Sequence, residues 1–126
     1  MDFDGKAHEN IDAAERLLPD DSGGRDGLFN AAASRAYYAA YHAVAHDAQR
    51  RQRAFTSDKE YYRHDELPAD AARWGILDAD QAEDLGWLLQ LRLKADYYED
   101  HVEVDEASEA FEVARALVLR IVGAPT

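Results

Sequence analysis

The chain has no cysteine among its 126 residues, which excludes disulfides and thiol catalysis and removes the ligand type most structural zinc sites use. It has no run of eighteen apolar residues and no glycine-rich phosphate loop; its seven glycines are scattered and its prolines number three. A membrane span is therefore not expected. The opening MDFDGKAHEN lacks the basic start and apolar run of a signal peptide, so the expected location is the cytoplasm. Positive charge is also scarce. The formal net charge of -12 argues against general nucleic-acid affinity, which rests on cationic surface that releases counterions from phosphates.

Hydrophobic residues make up 47% and aromatics 10%, enough for one globular core, and the length fits a single domain over residues 1–126. The charge is unevenly distributed. Residues 48–64 hold five Lys and Arg against two Asp and Glu, a basic island in an acidic chain. Arginine outnumbers lysine eleven to three, which fits GC-rich coding or a salt-adapted host and attaches the acidity to the host's proteome.

Helical signals dominate, and no stretch alternates as a strand should. Ala7, Ile11, Ala14 and Leu17 predict a helix over about Phe3 to Leu18, ended by Pro19 and the Gly23, Gly24 pair. A long alanine-rich helix is predicted from about Asp26 to Arg51, its alanines allowing close approach and its tyrosines supplying buried area. AFTSDKEYY reads as a loop with a turn of helix. A short helix near Leu67 to Trp74 accommodates Pro68 in its first turn and stops at Gly75. Asp78 or Asp80 caps a fourth helix running to the tyrosines at 97 and 98, and a fifth covers about Asp105 to Val122. The fold class is all-α, an up-and-down bundle of four to five helices.

Arg35, Tyr38 and His42 stand at i, i+3 and i+7 on the long helix; Arg92 and Asp96 are i, i+4 on the fourth. In one reading, Arg35 pairs with Asp96 across the bundle and the tyrosine hydroxyls satisfy buried polar groups. His42 and His46 have the spacing of two metal ligands, but a site would need a third from His64, Asp65 or His101, so neither a metal nor another cofactor is expected. Arg50, Arg51 and Arg53 are candidate RNA contacts; equally, they are cations at a helix C-terminus, where the dipole favours them. Tyr61 and Tyr62 could stack on bases or cover the core edge.

NAAASRAYYAAYHA on the early helix and RLKADYY on the later one resemble two segments of the prokaryotic HEPN superfamily, in its small stand-alone branch. The resemblance runs from about Phe3 to Val122. It implies a bundle of four or five helices, often a homodimer. Many members are metal-independent ribonuclease toxins, frequently encoded beside a small nucleotidyltransferase that neutralises them. Their signature is an arginine followed, after four to six residues, by a histidine, which moves protons while the arginine stabilises the phosphorane.

Here those positions after Arg92 are Tyr97, Tyr98 and Glu99, and the residue after Arg92 is Leu93, where nuclease members often have a polar one. Tyrosine is a poor proton shuttle at neutral pH. The resemblance thus implies a non-catalytic binding or regulatory component of a toxin–antitoxin or nucleotidyltransferase-linked system. Its polar cluster would be Arg35, Tyr38, His42, Arg92, Asp96 and Tyr97. The alternative is a ribonuclease in which Arg92 is helped by His42 or by His101. In a third reading, Tyr97 or Tyr98 is nucleotidylated by the partner enzyme.

Overall fold

The computed structural model describes residues 2–18, 26–55, 61–97 and 102–124, and for residues 26–28 and 97 the backbone alone. Among the described residues five helices form: α1 (Phe3–Leu17), α2 (Asp26–Arg50), α3 (Leu67–Arg73), α4 (Ala79–Tyr97) and α5 (Val104–Ile121). Among the described residues there is no strand, and no helix is long and apolar enough to cross a membrane. The all-α bundle expected from the sequence is the fold.

Several of the ends have a local cause. The Asp2 carboxylate accepts from the Gly5 amide at 3.1 Å and starts α1. Asp78 and Gln81 exchange side-chain-to-backbone bonds of 2.8 and 2.9 Å, a capping box that fixes the start of α4. Glu103 and Glu106 cap α5 in the same way. At the other end of α3, Gly75 takes φ +77 while the Ile76 amide reaches back to the Ala71 carbonyl. The long helix ends with the same wrapping, the Arg53 amide on the Ala48 carbonyl, but the left-handed position is filled by Gln52 at φ 59.

The core is organised on α2. Ala32, Ala33, Ala36, Ala39, Ala40, Ala43, Ala45 and Ala48 are all fully buried, and α1, α4 and α5 each pack on this helix. Small side chains let neighbouring backbones come close, and the larger residues Phe3, Ile11, Leu85, Leu88, Phe111, Leu117 and Val118 fill the space around them. Asn30 ties three elements together near one end: its amide donates to the Ala95 carbonyl of α4 at 3.3 Å, and its oxygen accepts from the Val102 amide just before α5 at 2.8 Å.

The segment between α2 and α3 is held by hydroxyls. Tyr41 donates to the Tyr62 carbonyl at 2.8 Å and accepts from the Tyr62 amide at 3.1 Å. Tyr62 in turn donates to the Arg53 carbonyl at 2.7 Å and takes the Gln49 amide at 2.7 Å. Residues 61–64 are thereby pinned against the middle of α2, and that sets the position of His64.

Candidate functional site

A polar and aromatic cluster forms where α2, α4 and the 61–66 segment meet. Arg92 reaches from α4 to the Tyr38 hydroxyl, its Nη2 donating at 2.8 Å, while its Nε donates to Asp96 Oδ2 at 3.1 Å. Its guanidinium lies 5.2 Å from the centre of the Tyr38 ring and 6.0 Å from that of Tyr37, within cation–π range. Ser34 Oγ completes the arrangement by donating to Asp96 Oδ1 at 2.7 Å.

Arg35 does not pair with Asp96. Its Nη1 donates to Asn10 Oδ1 on α1 at 3.2 Å, and Asp96 is engaged by Arg92 on its own helix and by Ser34 across the interface. Arg35 and His42 turn toward α1, while Tyr38 between them reaches Arg92 of α4 and Ser34, the residue preceding Arg35, meets Asp96. The Arg92–Asp96 pair is also only partly buried, with 13% and 34% of the two side chains exposed.

His64 is the functional candidate that spacing missed as a partner of Arg92. Its Nδ1 lies 2.5 Å from the Tyr37 hydroxyl, and its ring is 4.4 Å, centre to centre, from Tyr41 and edge-on to Tyr38 at 6.1 Å. Burial, and then the positive charge of Arg92, hold its pKa below the usual histidine value, against the opposing pull of Asp65. Burial pushes the Tyr37 hydroxyl far above the ordinary tyrosine range, so it stays protonated and either donates to Nδ1 or accepts from it according to the tautomer. At neutral pH the site therefore contains a neutral imidazole beside a cation. His64, Arg92, Tyr61, Arg63, Asp65 and Leu93 line an open hollow of about 290 Å³. Arg63 is engaged by Asp65 and Glu66 at 3.3 and 3.6 Å.

His42 lies on the other side of Tyr38, its ring stacked between Phe3 at 6.0 Å and Tyr38 at 6.2 Å. Burial lowers its pKa to about 4, so it too is neutral at pH 7. Its Nδ1 is the one buried side-chain nitrogen or oxygen among the described residues without a hydrogen-bond partner. A second open hollow, about 450 Å³, lies between α1 and α2, lined by Lys6, Glu9, Asn10, Arg35, Tyr38 and His42. Among the described residues, no group of three or more His, Asp or Glu side chains comes together in a way that could hold a metal ion. His101 and Tyr98 lie outside the described residues, as does the Tyr97 side chain.

Of the basic island, Arg50, Arg51 and Arg53 fold back on the end of α2. Arg50 and Arg51 reach Asp47 at 3.4 and 3.0 Å, Arg51 also donates to the Trp74 carbonyl at 3.0 Å, and Arg53 lies 5.9 Å from the Trp74 ring centre. These contacts are those of cations at a helix C-terminus, as the dipole favours. Of the segment's cations, Arg63 lines the hollow beside Arg92.

The signal for His64 was present as the dense run YYRH, a histidine with two aromatics and an arginine beside it. What the run could not reveal is the pair of bonds from Tyr41 that brings it to α4. No known family pattern matches the chain, and no curated protein matches it either.

Proposed function

We propose that this chain is a HEPN-like protein that binds RNA or nucleotide phosphate at Arg92, as the non-catalytic, regulatory component of a toxin–antitoxin or nucleotidyltransferase-linked system in the cytoplasm. The observation that carries the reading is the state of Arg92. Its guanidinium is fixed by Tyr38 and Asp96 and opens on a hollow that also contains His64, Tyr61 and Arg63. A fixed guanidinium suits a phosphate oxygen, and an adjacent tyrosine suits a base. The proposal includes a homodimer, as the resemblance implies, and a small nucleotidyltransferase as partner.

A second reading is favoured by one specific observation: His64 stands beside Arg92 although it comes from a different segment. In that reading the protein is a metal-independent ribonuclease. His64 moves the proton of the RNA 2′-hydroxyl or of the leaving oxygen, Tyr37 orients the imidazole through Nδ1, and Arg92 stabilises the charge on the phosphorane.

One experiment separates the two. The purified protein, Arg92→Ala and His64→Ala are incubated with a mixed RNA pool in EDTA, product ends are analysed for 2′,3′-cyclic phosphate, and RNA affinity is measured in parallel. The binding reading expects no cleavage by any of the three, with affinity lost in Arg92→Ala. Cleavage by the wild type that disappears in both variants establishes the ribonuclease. Absence of both binding and cleavage overturns the two together.

A further inference from the structure

The hollow at Arg92 has a neighbour. Tyr38 lines the hollow between α1 and α2, and its hydroxyl accepts the 2.8 Å bond from Arg92, which lines the hollow at His64. One hydrogen-bonded pair of side chains is thus shared by two concavities. Each has its own cations: Arg92 and Arg63 on one side, Lys6 and Arg35 on the other. Each is also flanked by rings. His42 and His64 both approach Tyr38, at 6.2 and 6.1 Å, and Tyr61 lies 6.3 Å from His64.

The second hollow has the chemistry of a nucleotide pocket. Lys6 and Arg35 are solvent-exposed cations in a chain of net charge -12, set on different helices around one concavity and opposed within it by Glu9 alone. Arg35 is committed to a neutral partner, Asn10, which leaves its charge uncancelled at that contact. His42 and Tyr38 form its wall, their ring faces packed on Phe3 and on each other, so that a base would meet their edges. Two cations around a concavity suit the phosphodiester backbone of a single strand, with the base lying against the wall.

We propose that the hollow at Lys6, Arg35 and His42 receives the nucleotide adjoining the one whose phosphate sits at Arg92, so that the protein binds two consecutive nucleotides of single-stranded RNA across Tyr38. The inference rests on the phosphate-binding reading of Arg92 and extends it to a footprint with a direction, from the α4 side of Tyr38 to the α1 side. It assigns Lys6, on α1, to a site otherwise built from α2, α4 and the 61–66 segment.

The test compares ligands of one and two nucleotides. Uridine 5′-monophosphate and 5′-phosphorylated diuridine are titrated into the full-length protein, with affinity read by calorimetry and contact by backbone amide shifts. The diuridine is expected to bind at least tenfold more tightly and to shift amides of residues 6–13, which the monophosphate leaves in place. In the double variant Lys6→Gln/Arg35→Gln, which changes two exposed side chains and whose fold is checked by circular dichroism, that advantage disappears while monophosphate affinity is retained. Arg92→Ala weakens both ligands. Equal affinity of the wild type for the two ligands, with Arg92 still required, overturns the two-nucleotide footprint and leaves the phosphate reading standing. A diuridine advantage that survives in the double variant also overturns it, because the second nucleotide then lies elsewhere. Failure of both ligands to bind overturns the footprint and the phosphate reading together.

Discussion

The two sides of α2 are built on opposite principles. One carries alanines with no exposed surface, where backbones meet closely and nothing polar needs a partner. The other carries Tyr37, Tyr38, Tyr41 and His42, long side chains that hold neighbouring segments at arm's length and present hydroxyls and ring nitrogens. The first side fixes where the helices lie, and the second fixes where the chemistry lies. Stability is therefore expected to be most sensitive on the alanine side and site geometry on the tyrosine side.

The sharpest way to break that division is Ala43→Leu. A residue with no exposed surface has no room for three more carbons, and overpacking should cost roughly 3 kcal/mol, about 10 °C in Tm. A near-unchanged melting temperature would show that the alanine side can open. Tyr41→Phe comes next: it strips the hydroxyl shared by the Tyr62 amide and carbonyl and should cost about 2 kcal/mol. With residues 61–64 released, the His64 pKa should also rise toward its ordinary value, as read from its ring resonances. A lost Tm with an unmoved His64 titration would separate the tie from the site.

The third expectation concerns pH. His42 titrates at about 4 in the folded protein against 6.5 for an unconstrained histidine, so between those values the unfolded chain binds more protons. Its contribution is complete above pH 6.5 and is lost as pH falls toward 4. Allowing for its partial exposure, the loss should be roughly 1.5 kcal/mol. Denaturation at pH 7 and pH 4 should show this difference shrinking in His42→Phe, whose ring keeps the stack on Phe3.

Asp96→Ala should cost about 1 kcal/mol, well below the several kcal/mol of a fully buried pair, because a third of the Asp96 side chain meets solvent. A double-mutant cycle with Arg92→Ala measures the coupling directly. Smallest, and opposite in sign, is Gln52→Gly. Relieving a left-handed non-glycine residue should stabilise the protein by up to about 1 kcal/mol in urea melts.

The alanine side was the legible one. Helix limits read from periodicity and caps agree with the structure to within a residue or two, because Asp2, Asp78 and Gly75 act on their own neighbours and leave a local trace. The tyrosine side was legible only in composition. Arg92, Tyr38 and Asp96 were picked out as members of one cluster, and they do meet. The Arg35–Asp96 reading failed because i, i+3, i+7 spacing says which residues share a stripe and nothing about which neighbour each one meets; Arg35 turns to Asn10 on α1, and Ser34, one position earlier, takes Asp96. His64 was invisible as a neighbour of Arg92 because a loop residue has no periodicity, and its place depends on the bonds from the Tyr41 hydroxyl to Tyr62, 21 residues apart.

Asn30 has a consequence for how the chain assembles. It bonds to residues 65 and 72 positions away, so the first bond waits for α4 to be brought to α2 and the second for the start of α5. Contacts of such span are entropically expensive to close and tend to come late. Asn30 is thus a latch that engages after the bundle has condensed, and its loss should be felt as faster unfolding with little change in the folding rate.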